Sequence, residues 1–152
     1  MPSITPTFLT LWAWLTLSIH EVGRFVLQML WFFTSEWNYM GMQVSVIGGS
    51  GFYRFFEGRT EIKNTPYGES SPITEFQVND ETVFFLPRHG KGHSVPPHLV
   101  NYRANIYALR ELDVTHIVAT NAVGSCRTEM EAGHIVVPDQ LIDSTVGRAS
   151  TF

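Results

Sequence analysis

From Gln43 onward, hydrophobic and polar positions fall into short runs divided by turn residues. Gln43-Val44-Ser45-Val46-Ile47 is a β-rich run that breaks into Gly48-Gly49-Ser50-Gly51, which predicts a strand followed by a glycine turn. Residues 73–78 (Ile-Thr-Glu-Phe-Gln-Val) alternate and predict a second strand. Residues 82–86 (Thr-Val-Phe-Phe-Leu) predict a buried third strand, with Asn79-Asp80 as the hairpin turn between the two. Pro96-Pro97 then punctuates the chain. Leu99, Tyr102, Ile106 and Leu109 recur at helical spacing, predicting an amphipathic helix that ends near Leu112. His116–Ala119 reads as a strand flowing into a loop, Thr120-Asn121-Ala122-Val123-Gly124-Ser125. Ile135-Val136-Val137-Pro138 reads as one more short strand. Strands alternating with helix predict the α/β class, a mixed twisted sheet flanked by helices.

The first 39 residues follow a different pattern. All four tryptophans (Trp12, Trp14, Trp31 and Trp37) stand there, with only three charged residues, Glu21, Arg24 and Glu36. The chain therefore divides into an apolar, Trp-rich extension, residues 1–39, and a domain, residues 40–152. Phe8–Ile19 and Phe25–Phe33 are uncharged runs, but His20-Glu21-Val22-Gly23-Arg24 separates them. A transmembrane helix needs about 20 apolar residues, and each central charge costs about 2.5–3.5 kcal/mol. Thr16, His20, Arg24 and Gln28 form a polar line at i, i+4, so residues 8–33 could also lie as a helix on a membrane surface. A secretory signal fits poorly, because no Lys or Arg precedes the apolar run. The third reading places the true start of translation at Met40 or Met42.

Composition narrows the function. Of 152 residues, ten are Lys or Arg and fourteen Asp or Glu, a formal net charge of −4. No basic excess exists to neutralise a phosphate backbone, so nucleic acid is not an expected partner. The single cysteine, Cys126, cannot form an internal disulfide, and no cysteine pair is spaced for zinc; a reducing, cytoplasmic location is expected.

Three strand ends each finish in a polar or glycine-rich loop: Gly48–Gly51, Arg88–His93 and Thr120–Ser125. In open α/β sheets ligands bind beyond the carboxyl ends of the strands, so these loops converge if the strands lie side by side. The first offers backbone N–H groups and the Ser50 hydroxyl to an anion, with Gly49 leaving room for close approach. It is not a dinucleotide fingerprint, since Arg54 stands where the third glycine belongs, and it lacks the Gly-Lys-Ser/Thr ending of a P-loop. In the second loop, Arg88 supplies a forked guanidinium and His89 an adjacent imidazole, with His93 a weaker addition. The third presents Asn121 and Ala122. Each loop alone also fits an ordinary turn. All these groups are donors, which favours an anion over a metal, and no metal site is expected. His98, His116 and His134 read as structural.

Several motifs in order resemble the methylthioadenosine phosphorylases. They are Val46-Ile47-Gly48-Gly49-Ser50-Gly51-Phe52-Tyr53, Leu86-Pro87-Arg88-His89-Gly90-Lys91-Gly92-His93, Pro96-Pro97-His98 and Val100-Asn101-Tyr102-Arg103-Ala104-Asn105-Ile106-Tyr107-Ala108-Leu109. Ala119-Thr120-Asn121-Ala122-Val123-Gly124-Ser125 and Gly133–Asp143 continue the match, and the wording Gly133-His134 and Gln140-Leu141-Ile142-Asp143 is similar to the methylthioinosine phosphorylase branch. The resemblance implies the trimeric purine nucleoside phosphorylase fold and a pentosyltransferase (glycosyltransferase) using inorganic phosphate as co-substrate, with no cofactor. The implied reaction cleaves 5′-methylthioinosine or 5′-methylthioadenosine to purine and 5-methylthioribose 1-phosphate, in purine salvage by a homotrimer. It implies Ser50, Arg88, His89, Asn121 and Ala122 as the phosphate site. No residue stands out as the acid for the leaving purine. The family's sugar-contacting methionine and base-reading aspartate lie in its second half, so the fold is expected to be incomplete at the C-terminus and the chain inactive alone. Two rivals stand beside this reading. Arg88-His89-Gly90 also resembles the histidine phosphatases, in which His89 would be the nucleophile. A non-catalytic, membrane-tethered remnant is the other.

Overall fold

In a computed structural model, the described residues are 7–13, 28, 42–49, 56–78, 81–149 and 151–152. They form strands β1 (Thr7–Ala13), β2 (Val44–Gly48), β3 (Arg59–Glu61), β4 (Asn64–Thr65), β5 (Gly68–Glu69), β6 (Ile73–Val78) and β7 (Glu81–Pro87). Helix α1 (Tyr102–Glu111), β8 (His116–Ala122) and β9 (Ile135–Val136) follow. Seven strands make one mixed sheet in the order β3-β6-β7-β2-β8-β1-β9, and β4-β5 is a separate hairpin. The mixed α/β class expected from the sequence is present.

The centre of the sheet positions the site. β7, β2 and β8 lie side by side and parallel, with Val44 opposite Val83 on one side and His116 on the other. β6 runs antiparallel to β7, from Thr74↔Phe85 to Val78↔Glu81. The expected hairpin pairing is there, while its turn residues Asn79 and Asp80 lie outside the described residues.

Alternation along β7 divides the core between the two faces. Phe84 and Leu86 join Ile73, Ala108, Leu109 and Ile117 in one buried cluster under α1. Phe85 points the other way and stacks on Phe56, ring centroids 4.5 Å apart, and Phe56 also meets Phe76 at 4.6 Å.

Helix α1 corrects part of the sequence reading. It starts at Tyr102, and its buried residues are Ala104, Asn105, Ala108 and Leu109. Leu99 and Tyr102, expected on the apolar face, are 65% and 41% exposed. Prolines cannot continue a helix from upstream, and Pro97–Leu99 forms a separate 3-10 turn. Asn101 then caps the true start, its side chain accepting from the Ala104 amide at 3.2 Å. Two asparagines tie the helix to the segment before β6. Asn101 Nδ2 donates to the Tyr67 carbonyl at 2.7 Å, and buried Asn105 accepts from the Ser71 amide at 2.7 Å.

Two further corrections concern β8. Thr120, Asn121 and Ala122, expected in a loop, continue the strand. β1 pairs with β8 in parallel along its whole length, from Thr7↔His116 to Ala13↔Ala122. The segment Thr7–Ala13 is therefore a strand, where the membrane-surface reading of residues 8–33 requires helix. Among the described residues, no helix is long and apolar enough to cross a membrane.

Candidate functional site

Because β7, β2 and β8 are adjacent and parallel, their carboxyl ends meet on one edge of the sheet, as the sequence suggested. One residue, through its backbone and its side chain, touches all three strands near these ends. Arg88 directly follows β7, and its amide donates to the Gly48 carbonyl of β2 at 3.1 Å. Its Nη1 donates to the Thr120 carbonyl of β8 at 2.5 Å. A Cβ on Gly49 would stand 2.5 Å from Arg88 Nη2 and 3.1 Å from Cζ, so only glycine admits the guanidinium there.

The loop after Arg88 is folded tightly on itself. Gly90 and Gly92 have φ of +68° and +66°, and His93, at φ +61°, adopts the same left-handed conformation. For a residue with a Cβ, that conformation costs roughly 1 kcal/mol. The Gly90 amide donates to the Pro87 carbonyl at 2.9 Å, and the Val95 amide to the His89 carbonyl at 2.9 Å. The His89 ring lies between two partners, Arg88 Nε at 3.2 Å and the Val95 carbonyl at 3.1 Å. The His93 ring sits 4.9 Å from it.

Beyond these strand ends lies an open cleft of about 1140 Å³. Arg88 and Asn121 line it from the sheet, Asn105 and Ile106 from α1, and Pro138, Leu141 and Ile142 from the tail. Its walls are largely apolar, with a cation and an amide at the strand ends. That combination suits an organic anion, or an anion beside an apolar group.

Of the candidates taken from the sequence, Arg88 meets both Gly49 and His89, His93 joins through its ring against His89, and Asn121 shares the cleft with Arg88. Ala122 is exposed at the end of β8. Ser50 lies outside the described residues. Sequence reasoning missed two backbone groups, the carbonyls of Thr120 and Val95, which hold Arg88 and His89. For Val95 a signal existed. It precedes Pro96, and a residue before proline is held extended, with its carbonyl turned out of any helix. Among the described residues, no three His, Cys, Asp or Glu side chains are grouped to hold a metal ion.

Within this mixed α/β sheet, three adjacent parallel strands end around one arginine, the place where open α/β sheets bind ligands. Residues 43–152 match the phosphorylase superfamily, and the chain belongs to that family. It is 55% identical over 112 residues to the 6-oxopurine nucleoside phosphorylase of Pyrococcus furiosus, covering 72% of this chain and 42% of that protein. It is 53% identical over 114 residues to the S-methyl-5′-thioadenosine phosphorylase of Mycolicibacterium smegmatis, covering 73% and 44%. The probable S-methyl-5′-thioinosine phosphorylase of Methanothermobacter thermautotrophicus is 49% identical over 113 residues, covering 72% and 40%. Among solved structures, methylthioadenosine phosphorylase from Schistosoma mansoni in complex with adenine superposes with a TM-score of 0.55. It is 46% identical and covers 59% of this chain and 34% of that one. The chain thus spans less than half the length of these relatives.

Proposed function

We propose that this chain carries the phosphate-binding part of a purine nucleoside phosphorylase active site. The reaction is phosphorolysis of 5′-methylthioinosine or 5′-methylthioadenosine, giving purine base and 5-methylthioribose 1-phosphate. The carrying observation is Arg88, bonded to one strand end, packed on a second and projecting from a third.

A phosphate oxygen attacks the ribosyl C1′ while the bond from C1′ to the purine nitrogen breaks. The bonding electrons leave with the base, which takes up a proton at a ring nitrogen. The transition state carries positive charge on the sugar, so a phosphate held against one face supplies both the nucleophile and charge complementarity. In this reading Ser50, Arg88, His89, Asn121 and Ala122 hold the phosphate, with Gly49 and His93 as weaker contributors. Inorganic phosphate is the co-substrate, and the reading calls for no cofactor. A homotrimer in the cytoplasm is part of the same reading.

Relatives named for 6-oxopurine, thioadenosine and thioinosine substrates match this chain at 49–55% identity. That spread supports a reading in which the choice of base is made by residues beyond the matched ones. The histidine phosphatase alternative is not favoured. A nucleophilic His89 needs an accessible ring nitrogen, and both of its nitrogens are engaged.

The test is base release from methylthioinosine and methylthioadenosine by the protein that carries this chain, with and without phosphate. Release that requires phosphate supports the reading, and equal release without it refutes it. Arg88→Met should weaken phosphate binding roughly 10–100-fold, the loss of charge-assisted bonds worth about 1.5–3 kcal/mol. Titration with inorganic phosphate measures this directly.

A further inference from the structure

We propose that Thr7–Ala13 is a surrogate strand. It fills, from within the chain, a strand-binding slot between β8 and β9 that takes an uncharged strand running parallel to β8. The inference goes beyond the phosphate reading and does not depend on it.

The family match sets β1 apart from its neighbours. The match covers residues 43–152, which include β8 and β9 but not Thr7–Ala13. Yet β1 stands between those two strands in the sheet. It is parallel to β8 from Thr7↔His116 to Ala13↔Ala122, and antiparallel to β9 at Trp12↔Val136 and Ala13↔Ile135. Among the described residues, β9 joins the sheet through β1 alone. Two strand spacings, roughly 10 Å, therefore separate β8 from β9. The matched residues leave one place in this sheet, and a segment from outside the match occupies it.

β8 is made for the interior of a sheet. Ile117, Val118 and Thr120 are 4%, 4% and 5% exposed. His116–Ala122 holds no Pro, Gly, Lys, Arg, Asp or Glu. Strands that end a sheet are ordinarily blunted by charge, proline or shortness. β3, at the far edge, has three residues, with Arg59 and Glu61 at its ends. β8 carries none of these devices, so it needs a partner on both sides. β2 serves one side, from His116 to Ala119, while Thr120–Ala122 find their strand partners in β1. Thr-Phe-Leu-Thr-Leu-Trp-Ala suits the slot, having no charge, glycine or proline. More than half of each relative lies outside the match. The partner that fits the slot is an uncharged, extended segment from that remaining portion of a phosphorylase domain, and β1 stands in its place.

Two measurements test the proposal. In the full chain with Cys126→Ser, the register partners Thr10→Cys and Ala119→Cys should close an internal disulfide on oxidation. Paired strands hold facing Cα atoms about 5 Å apart, within the span of a disulfide. Thr7→Cys with Ala119→Cys, about 10 Å out of register, should not close. No closure in the first pair, or equal closure in both, overturns the proposal.

The second measurement asks whether the slot accepts a strand from outside. Leu9→Pro with Thr10→Pro removes successive ladder N–H groups. It should lower hydrogen-exchange protection of the Thr120–Ala122 amides roughly tenfold or more. A peptide of residues 7–13, with lysines added at both ends, should restore that protection. It should change nothing in the oxidised disulfide form, whose slot is closed. The same peptide carrying Leu9→Asp and Leu11→Asp should restore nothing. Unchanged protection in the proline variant would mean that β8 does not need β1. Failure of the peptide to restore it would mean that the slot takes no outside strand, and restoration by the aspartate peptide would refute the stated chemistry. Each of these outcomes overturns the proposal. Phosphate is absent throughout, so none of them bears on the phosphate reading.

Discussion

The loop Arg88–Val95 and the tail 137–149 border the same cleft and are held in opposite ways. The loop is rich in polar and glycine residues, which would ordinarily suggest a mobile connection. Nearly every turn of it is bonded: Arg88 to Gly48, Gly90 to Pro87, and Val95 to His89 twice. The tail is studded with apolar residues that would ordinarily seek a core. Yet Leu141, Ile142 and Val146 are 67%, 93% and 93% exposed. Its anchors are an Asp143–Thr145 turn, a bond from Arg148 Nη2 to the Pro97 carbonyl at 3.0 Å, and the Arg148 guanidinium 5.1 Å from the Tyr102 ring centre. Hydrophobicity gives a segment a reason to be buried only where a surface exists to bury it. Directional bonds fix a polar segment with no such need.

The comparison breaks most completely at the support under the loop. Leu86, fully buried, sits two residues before Arg88 within the cluster that packs on α1. Leu86→Ala should cost about 2–5 kcal/mol, the usual loss for emptying a buried leucine site. Domains are commonly stable by only about 5–15 kcal/mol, so this one change should move the denaturant midpoint far and loosen the loop with it. An unmoved midpoint would mean that the loop holds itself without the core.

A smaller and more local change separates the loop's geometry from its stability. Gly49 has no positive φ, so alanine there meets no backbone strain, only the Arg88 guanidinium. Gly49→Ala should push that group aside and weaken phosphate binding roughly tenfold, about 1.4 kcal/mol. Its unfolding midpoint should barely change. Loss of stability without loss of phosphate affinity would contradict the arrangement.

The sheet was legible because strands announce themselves by periodicity. The runs around Val46, Phe76 and Phe84 carry period-two or continuous apolar patterns, and each is a strand. The convergence of Gly49 and Arg88 was legible too, once parallel neighbours were assumed. What failed depended on partners. Thr120–Ala122 looks like a loop on its own and becomes strand by pairing with Leu11–Ala13. Those partner residues lie more than a hundred positions away, in a segment whose composition suggested a membrane surface. Leu99 and Tyr102 followed helical spacing correctly but in the wrong phase, since the Asn101 cap, not the first apolar residue, sets where the turns begin. The Thr120 carbonyl has no sequence signature as a ligand, because every residue has one, and the Val95 carbonyl was marked only by the proline after it.

In the tail, substitutions should register weakly. Ile142→Ser removes an apolar side chain that is already 93% exposed. It should alter stability by no more than about 0.5 kcal/mol, as for other surface positions away from caps and bonds. A cost comparable to that of Leu86→Ala would show that the tail is packed in solution and remove the contrast with the loop.

The smallest effect concerns the tail's one internal fastening. The Thr145 hydroxyl and then the Thr145 amide hydrogen-bond the Asp143 carboxylate, and with a weaker contribution from Arg148 they hold its pKa below the ordinary 3.8. A carboxyl depressed in the folded chain lends its stabilisation above its unfolded value and loses it as pH falls through the folded one. The turn should therefore persist down to 3.8 and open only below it. The group is fully exposed, so the opening should stay local. The Thr145 amide resonance should titrate with a midpoint below 3.8, while those of Arg88 and His89 do not follow it. Thr145→Val removes the hydroxyl, the larger of the two causes, and should raise that midpoint toward the ordinary value. If the loop resonances moved together with Thr145, the loop and the tail would be one coupled unit rather than two segments held by different means.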